Sequence, residues 1–349
     1  MSGTLAVLAL LLALSALGCA RLVGAGRPVF AGILVWGLVL VGLSQTLPGA
    51  DPARLAFRLG WAGAIAAPVL GYALLIRALR RRARGTPPPE AARTGGSGMT
   101  PDELTRYARH IVLREIGGPG QARLRAARVA VVGAGGLGDP ALLYLAAAGA
   151  GALTVIDDDA VALSNLQRQI LFGTPDIGAP KAEAARAALT RLNPDVAVEA
   201  RTVRLDAENA PALLAGATLV IDGSDNFATR YAVNAACVAL GIPLLSAAMS
   251  QWEGQVALFD PARGGPCYRC LFPEPPAEGL APSCAEAGVI GPLPGVLGAL
   301  LALEAVKHLA GAGRGLRGRL LLFDGLRAET RQLRVSARAD CPDCGGRGA

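Results

Sequence analysis

The stretch RVAVVGAGGLGDP, residues 128–140, limits what this chain can fold into more tightly than any other. A short apolar run stops at Gly133, glycines recur at 135 and 138, and an Ala/Leu-rich helical pattern follows. A buried strand that turns sharply into a helix belongs in the middle of a parallel α/β sheet. Gly133 permits the tight turn, Gly135 lets backbone N–H groups approach an anion, and Gly138 lets the helix pack close to the strand. The unpaired N–H groups of the first helical turn then face a phosphate. Asp157, at the end of the next apolar run, is placed to accept hydrogen bonds from a ribose. Such a loop serves a redox dinucleotide as well as ATP, and does not choose between them. Asp139 is out of character, since a carboxylate beside a phosphate repels it; the compatible reading is that it caps the helix and points away.

The same alternation continues downstream. TPDELTRYARHIVL reads as a helix capped by Thr100, and LTVI, VAVEAR, TLVID and PLLSA read as strands. Helices are expected over 137–148, 181–192 and 226–240, and a long apolar one over 294–309 lies between the later strands GQVALFD and RLLLFDG. The order predicts a Rossmann-like, doubly wound sheet with helices on both faces.

The net charge of +7 would suit a nucleic-acid binder, but its distribution does not. Residues 1–98 carry ten Arg and two acids, whereas residues 99–349 balance at −1, so no basic groove is implied and no nucleic-acid partner is expected. Residues 4–20, 29–47 and 59–76 are nearly uncharged apolar runs of membrane-spanning length. Arg77, Arg80, Arg81, Arg82 and Arg84 follow the third run, and Arg21 and Arg27 fall on the same side, which orients that side to the cytoplasm. The first run lacks the charged start of a signal peptide, the competing reading. The expected organisation is a membrane region over 1–82, a Pro/Gly/Ser-rich tether over 83–98 and a cytoplasmic domain over 99–345, held at the inner membrane as a multi-pass protein.

Arg168 and Lys181 lie behind the strand that ends at Asp157, where fixed cations can neutralise a triphosphate as charge moves onto a leaving pyrophosphate. Asp225, after TLVID, is a carboxylate at a strand's carboxyl end and a reasonable Mg²⁺ ligand. A redox enzyme has no need of this set. Two C-x-x-C pairs, Cys267/Cys270 and Cys341/Cys344, suit a tetrahedral structural Zn²⁺. Cys237, in an apolar helix, reads as core, as does His308. Cys284 is either a plain loop thiol or a sulfur-handling one.

RYARHI, GAGGLG, DDDAVALSNLQRQ, GAPK, GSDN, EGQV, CYRC, CAEAGV and CPDC, taken in order, resemble the ubiquitin-activating-type adenylyltransferases of the MoeB/ThiF/HesA group, the molybdopterin-synthase adenylyltransferase branch most of all. The likeness covers residues 101–345. It implies an enzyme in which the C-terminal Gly-Gly carboxylate of a small β-grasp sulfur carrier attacks the α-phosphorus of ATP, and a sulfur donor then converts the acyl-AMP to a thiocarboxylate. A MoaD-like carrier of molybdenum cofactor biosynthesis is the first expectation, and a ThiS-like carrier of thiamin biosynthesis the alternative. Carried over, Gly136 contacts the nucleotide, Asp157 the ribose, and Ser164, Asn165, Leu166, Gln167 and Arg168 line the phosphate path with Lys181. Asp225 holds Mg²⁺ beside Asn226, and Arg109 reaches the site of a second subunit, implying a homodimer. His110 departs from the Gln usual in the group. The sulfur is expected from a separate donor, such as a cysteine desulfurase or a rhodanese. Two readings from other classes remain: an NAD-dependent oxidoreductase, against which SNLQRQ and the four cysteines speak, and a non-catalytic membrane scaffold.

Overall fold

The computed structural model describes residues 98–276 and 288–345. The three apolar runs, most of the tether and Cys284 lie outside the described residues. Thr100 opens the fold: its hydroxyl accepts from the Glu103 N–H, while the Glu103 carboxylate accepts from the Thr100 N–H. This capping box starts α1 (Pro101–Arg106). The single helix expected here is broken at Tyr107, and α2 (Ala108–Ile111) follows. Tyr107 is buried, and its hydroxyl accepts from Asn193 Nδ2 at 2.8 Å.

After α3 (Gly117–Ala126) the chain alternates: β1 (Arg128–Val132), α4 (Gly138–Ala148), β2 (Ala152–Ile156), α5 (Lys181–Leu192), β3 (Ala197–Arg201), α6 (Ala210–Leu214), β4 (Leu219–Asp222), α7 (Phe227–Leu240) and β5 (Leu244–Ser250). Then come β6 (Glu253–Phe259), α8 (Tyr268–Leu271), α9 (Pro292–Ala310), β7 (Arg319–Asp324) and β8 (Glu329–Arg334). One sheet orders them 3-2-1-4-5-6-7-8. The first five are parallel, as expected, but β6, β7 and β8 are antiparallel, so the second half of the sheet is a meander and not another winding. Strand β8 has no counterpart among the expected strands: every residue of ETRQLR is exposed, and a mostly polar edge strand has no apolar face to announce it.

Period-2 alternation sorts the core. Val129, Val131, Leu219 and Ile221 face α4, α5 and α9, whereas Ala130, Val132 and Val220 face α6 and α7. Among the described residues α9 alone has the length and apolar character of a membrane span. Half of it is buried, with Leu297, Leu301 and Ala305 fully enclosed, so it serves as a core helix. The chain winds from β1 to β2 on one side and later enters β4 on the other. That reversal opens a crevice beyond the carboxyl ends of β1 and β4, where open α/β sheets bind ligands.

Helices α4 and α9 approach closely at Gly298. A methyl there would lie 2.2 Å from Pro140 Cγ and 2.6 Å from the Leu137 carbonyl oxygen, whereas one at Gly295 meets nothing within 4 Å. Gly298→Ala is expected to lose about 1–3 kcal/mol in urea unfolding through overpacking. Gly295→Ala, one turn earlier, should be neutral or gain up to about 1 kcal/mol. Equal effects would refute this packing.

Candidate functional site: a nucleotide-sized cleft

A cleft of about 830 Å³ opens at the crevice. Its floor is the loop after β1. Gly133 has φ +87°, and a side chain there would press on Gly223 and Ser224 of the loop after β4, 3.1–3.3 Å away. Gly138 lets the helix start lie against the end of β1, as expected: a methyl would sit 1.8 Å from the Gly133 carbonyl oxygen and 3.4 Å from Val131 Cγ1. At Gly136 a methyl would come 3.0 Å from Pro294 Cβ and 3.6 Å from Met249 Cε.

Asp157 follows β2 and is nearly buried. Its Oδ2 accepts from the Ala134 N–H at 2.7 Å and its Oδ1 from the Asp159 N–H at 2.8 Å. Burial raises its pKa above the ordinary carboxylate value, against the opposing charge of Lys181 and these two N–H groups. Lys181, buried at the start of α5, reaches Asp159 Oδ2 at 2.7 Å. Asp158 is exposed at the cleft wall.

The crossover between β2 and α5 carries the next wall. A 3₁₀ turn at Leu163–Asn165 is tied by Asn165 Oδ1, which accepts from the Ala162 N–H. Arg168 Nη1 donates to the Ser164 carbonyl at 3.2 Å. Asn165, Arg168 and Gln169 line the cleft. Ser164, Leu166 and Gln167 do not: Leu166 packs on the core, and Gln167 faces Gly291.

Beyond β4, Asp222 is fully buried. Its Oδ1 accepts from the Ser224 N–H and hydroxyl, and its Oδ2 from the Ser246 hydroxyl at 3.0 Å. The Arg230 guanidinium stands 3.9 Å from Asp222 and donates to the Ala247 and Ser224 carbonyls. This network holds Asp225 exposed at the cleft mouth. Asn226 lines the cleft too, but its side-chain oxygen is engaged as the cap of α7, accepting from the Thr229 N–H. Asp222, Ser224, Ser246 and Arg230 escaped the sequence reading. The available signal was polar side chains at the ends of the apolar strands LVID and LLSA.

Arg109 is exposed on α2 and is not part of this chain's cleft wall. His110 turns inward, where its Nδ1 pairs with Gln121 Oε1 at 3.2 Å. Asp139 is fully buried and does point away from the cleft, but it caps nothing: Oδ2 accepts from the Leu171 N–H at 2.9 Å, and α4 has no side-chain cap.

The four C-x-x-C cysteines meet although 74 residues separate partners, with Sγ–Sγ distances of 3.5 Å for Cys267–Cys341 and Cys270–Cys344 and 3.8 Å for Cys267–Cys270. All four sulfurs lie within 4.8 Å of one another and are buried, as a metal site requires. A tetrahedron with metal–sulfur bonds of about 2.3 Å has edges of about 3.8 Å, so the cluster fits a four-coordinate ion. Burial raises the Cys267 pKa well above the ordinary thiol value, so a central cation is what would keep it a thiolate. Asn234 braces the cluster, accepting from the Tyr268 N–H and donating to Asp343. The Tyr268 and Phe272 rings, 4.9 Å apart, form the adjacent cleft wall. Cys237 is core, as expected.

Among the described residues no histidine lines the cleft. Its charged lining is Arg168, Lys181, Arg204 and Arg230 among acidic groups, which suits charge stabilisation better than proton abstraction.

The ThiF family matches residues 107–344. The sulfur carrier protein adenylyltransferase of Thermus thermophilus is 54% identical over 250 residues, 70% of this chain and 92% of that protein. The SAMP-activating enzyme E1 of Haloferax volcanii is 50% identical over 70% of this chain and 89% of its own length. The adenylyltransferase and sulfurtransferase MOCS3 of Mus musculus is 47% identical, but the match spans 57% of it. Among solved structures, E. coli MccB with AMPCPP and MccA shares the fold, with a TM-score of 0.61 at 23% identity over 69% of this chain and 74% of that one.

Burial pushes Asp139 from the ordinary 3.8 up to about 7. Between those values the folded chain keeps a proton that the unfolded chain has lost. The stability tied to this group is therefore fully present below about pH 4 and is lost as pH rises through 7. Urea melts from pH 5 to 7.5 should show wild type losing more stability than Asp139→Asn, which cannot titrate; parallel curves would contradict the assignment.

Proposed function

The chain belongs to the ThiF family, and on that premise we propose that it activates the C-terminal Gly-Gly carboxylate of a small ubiquitin-like sulfur carrier by ATP-dependent adenylation. As an adenylyltransferase of the ThiF type it needs a site for ATP beside the carrier's tail. The observation that carries the reading is the convergence of Asp157, Arg168, Lys181 and Asp225 on one cleft over the glycine loop.

The carrier's carboxylate oxygen attacks the α-phosphorus, the bond to the bridging oxygen of the β-phosphate breaks, and pyrophosphate leaves with the electron pair. The nucleophile is already an anion, so no general base is required. Loop N–H groups and the helix dipole of α4 hold the phosphates. Asp157 accepts from the ribose. Arg168 and Lys181 offset charge on the departing pyrophosphate; for Lys181 this means exchanging its exposed partner Asp159 for phosphate oxygens. Asp225 would hold Mg²⁺, whose charge neutralises the polyphosphate. Asn165 lies on the same wall, and Tyr268 and Phe272 are suited to the carrier's extended tail.

The four cysteines would hold a structural Zn²⁺ that fastens the end of the chain to the segment carrying Tyr268 and Phe272. A second copy of the chain would supply Arg109. A separate donor of the cysteine desulfurase or rhodanese class would deliver sulfur to the acyl-AMP. A MoaD-like carrier, and so molybdenum cofactor assembly, is the reading that the MoeB-type motif series favours. The apolar runs of residues 1–82 would hold the enzyme at the inner membrane with this domain on the cytoplasmic side.

The test is exchange of labelled pyrophosphate into ATP, expected only with carrier and Mg²⁺ present. Asp225→Ala should lower it by about 100-fold or more while leaving bound zinc unchanged. Cys341→Ser should lose the zinc and lower the Tm. Exchange that ignores the carrier, or tight NAD(H) binding in its place, would overturn the reading. Mass spectrometry of candidate carriers after incubation with ATP should find the AMP adduct on a MoaD-like Gly-Gly end.

A further inference from the structure

Asp139 has no part in the chemistry above, yet it occupies a costly place. It lies in the first turn of α4, directly behind the glycine loop, and is fully buried. One carboxyl oxygen accepts from the Leu171 N–H, and the other, Oδ1, has no partner among the described residues. A small apolar residue would fill an interior helical position without that cost, since burying a carboxyl with an unpaired oxygen is unfavourable. The expense has to be offset by what the Leu171 contact achieves.

Leu171 ends the crossover turn that carries Arg168 and Gln169 to the cleft. The turn is held at its start by backbone bonds from Arg168 and Gln169 to the Asn165 carbonyl, at 3.0 and 2.9 Å. Gln169 is buried, with its Nε2 3.6 Å from where a Gly135 side chain would begin, so the turn lies against the phosphate loop itself. The far end is tied to α4 by Asp139. The Asp139 N–H in turn donates to the Gly135 carbonyl at 2.9 Å, so a single residue joins the loop to the turn. The ribose end of the site, at Asp157, is held by its own bonds from Ala134 and Asp159, neither of which involves Asp139 or Leu171.

We propose that Asp139 is a positioning residue for the phosphate half of the nucleotide site, setting the turn that carries Arg168 and Gln169 against the glycine loop through the Leu171 N–H. The inference rests on the nucleotide reading given above.

The experiment uses the full chain with Mg²⁺, and ATP and adenosine as separate calorimetric probes. Asp139→Ser keeps a small polar side chain, but its hydroxyl is too short to reach Leu171. Asp139→Asn keeps a carbonyl in place. The Ser variant should bind ATP about five- to tenfold more weakly, the scale of one lost hydrogen bond, while adenosine affinity stays within twofold. The Asn variant should hold both affinities within twofold. Amide exchange at Leu171 should quicken in the Ser variant and not in the Asn variant. A Ser variant that weakens ATP and adenosine alike, or neither, overturns the proposal, as does an Asn variant as defective as Ser. Should the Ser variant not fold, the Asn variant alone decides: preserved ATP affinity with a protected Leu171 amide supports the proposal, and loss of either refutes it. A wild-type chain that binds neither probe sinks the functional reading and this inference together; one that binds both, with the Ser variant indistinguishable from it, sinks the inference alone.

Discussion

Two backbone loops meet at the carboxyl end of the sheet with no room for side chains between them, and the site depends on that contact. Gly133 has positive φ and touches Gly223; Gly138 folds back on the Gly133 carbonyl; a methyl on Gly223 would come 3.0 Å from the Gly138 nitrogen. Strands β1 and β4 are neighbours in register, so the two loops leave the sheet side by side. Each bears a different part of the site: one the N–H groups proposed to cradle phosphate, the other the buried Asp222 network and Asp225. Separating them by one methyl group would part Asp225, the carboxylate proposed to hold Mg²⁺, from the anion it is proposed to serve.

Charge placement follows the same economy. Lys181 is buried but paired with the exposed Asp159, and its field partly offsets the burial of Asp157. Such a cation is preorganised at the wall without being locked in a fully desolvated pair, which would resist exchange of partners. Asp222 and Arg230 form the opposite kind of arrangement. Both are buried, and hydrogen bonds to Ser224, Ser246 and backbone carbonyls meet most of their needs. That network can hold a loop in shape but is poorly placed to move.

Much of this was legible in the sequence because local patterns carried it. The glycine spacing announced the loop, period-2 apolar strands announced the parallel sheet, and two C-x-x-C pairs announced a four-sulfur cluster that the fold does assemble. What the sequence concealed had non-local causes. The antiparallel turn of β6 to β8 leaves the same apolar alternation as a parallel strand would, and β8 shows no apolar face at all. The break at Tyr107 comes with a bond to Asn193, 86 residues away. Asp139 looked like a misplaced cap until Leu171 came within reach. Asn226 lines the cleft as its motif suggests, and the second task of its side-chain oxygen, capping α7, showed only in the fold.

The central claim is that one cleft gathers a triphosphate between the glycine loop and the pair Arg168 and Lys181. A crystal structure of the chain soaked with Mg²⁺ and a non-hydrolysable ATP analogue tests it most directly. The account predicts the phosphates over Gly133–Gly138 with both cations on their oxygens and the ribose at Asp157. An empty cleft, or a nucleotide whose phosphates turn away from Arg168 and Lys181, would contradict it.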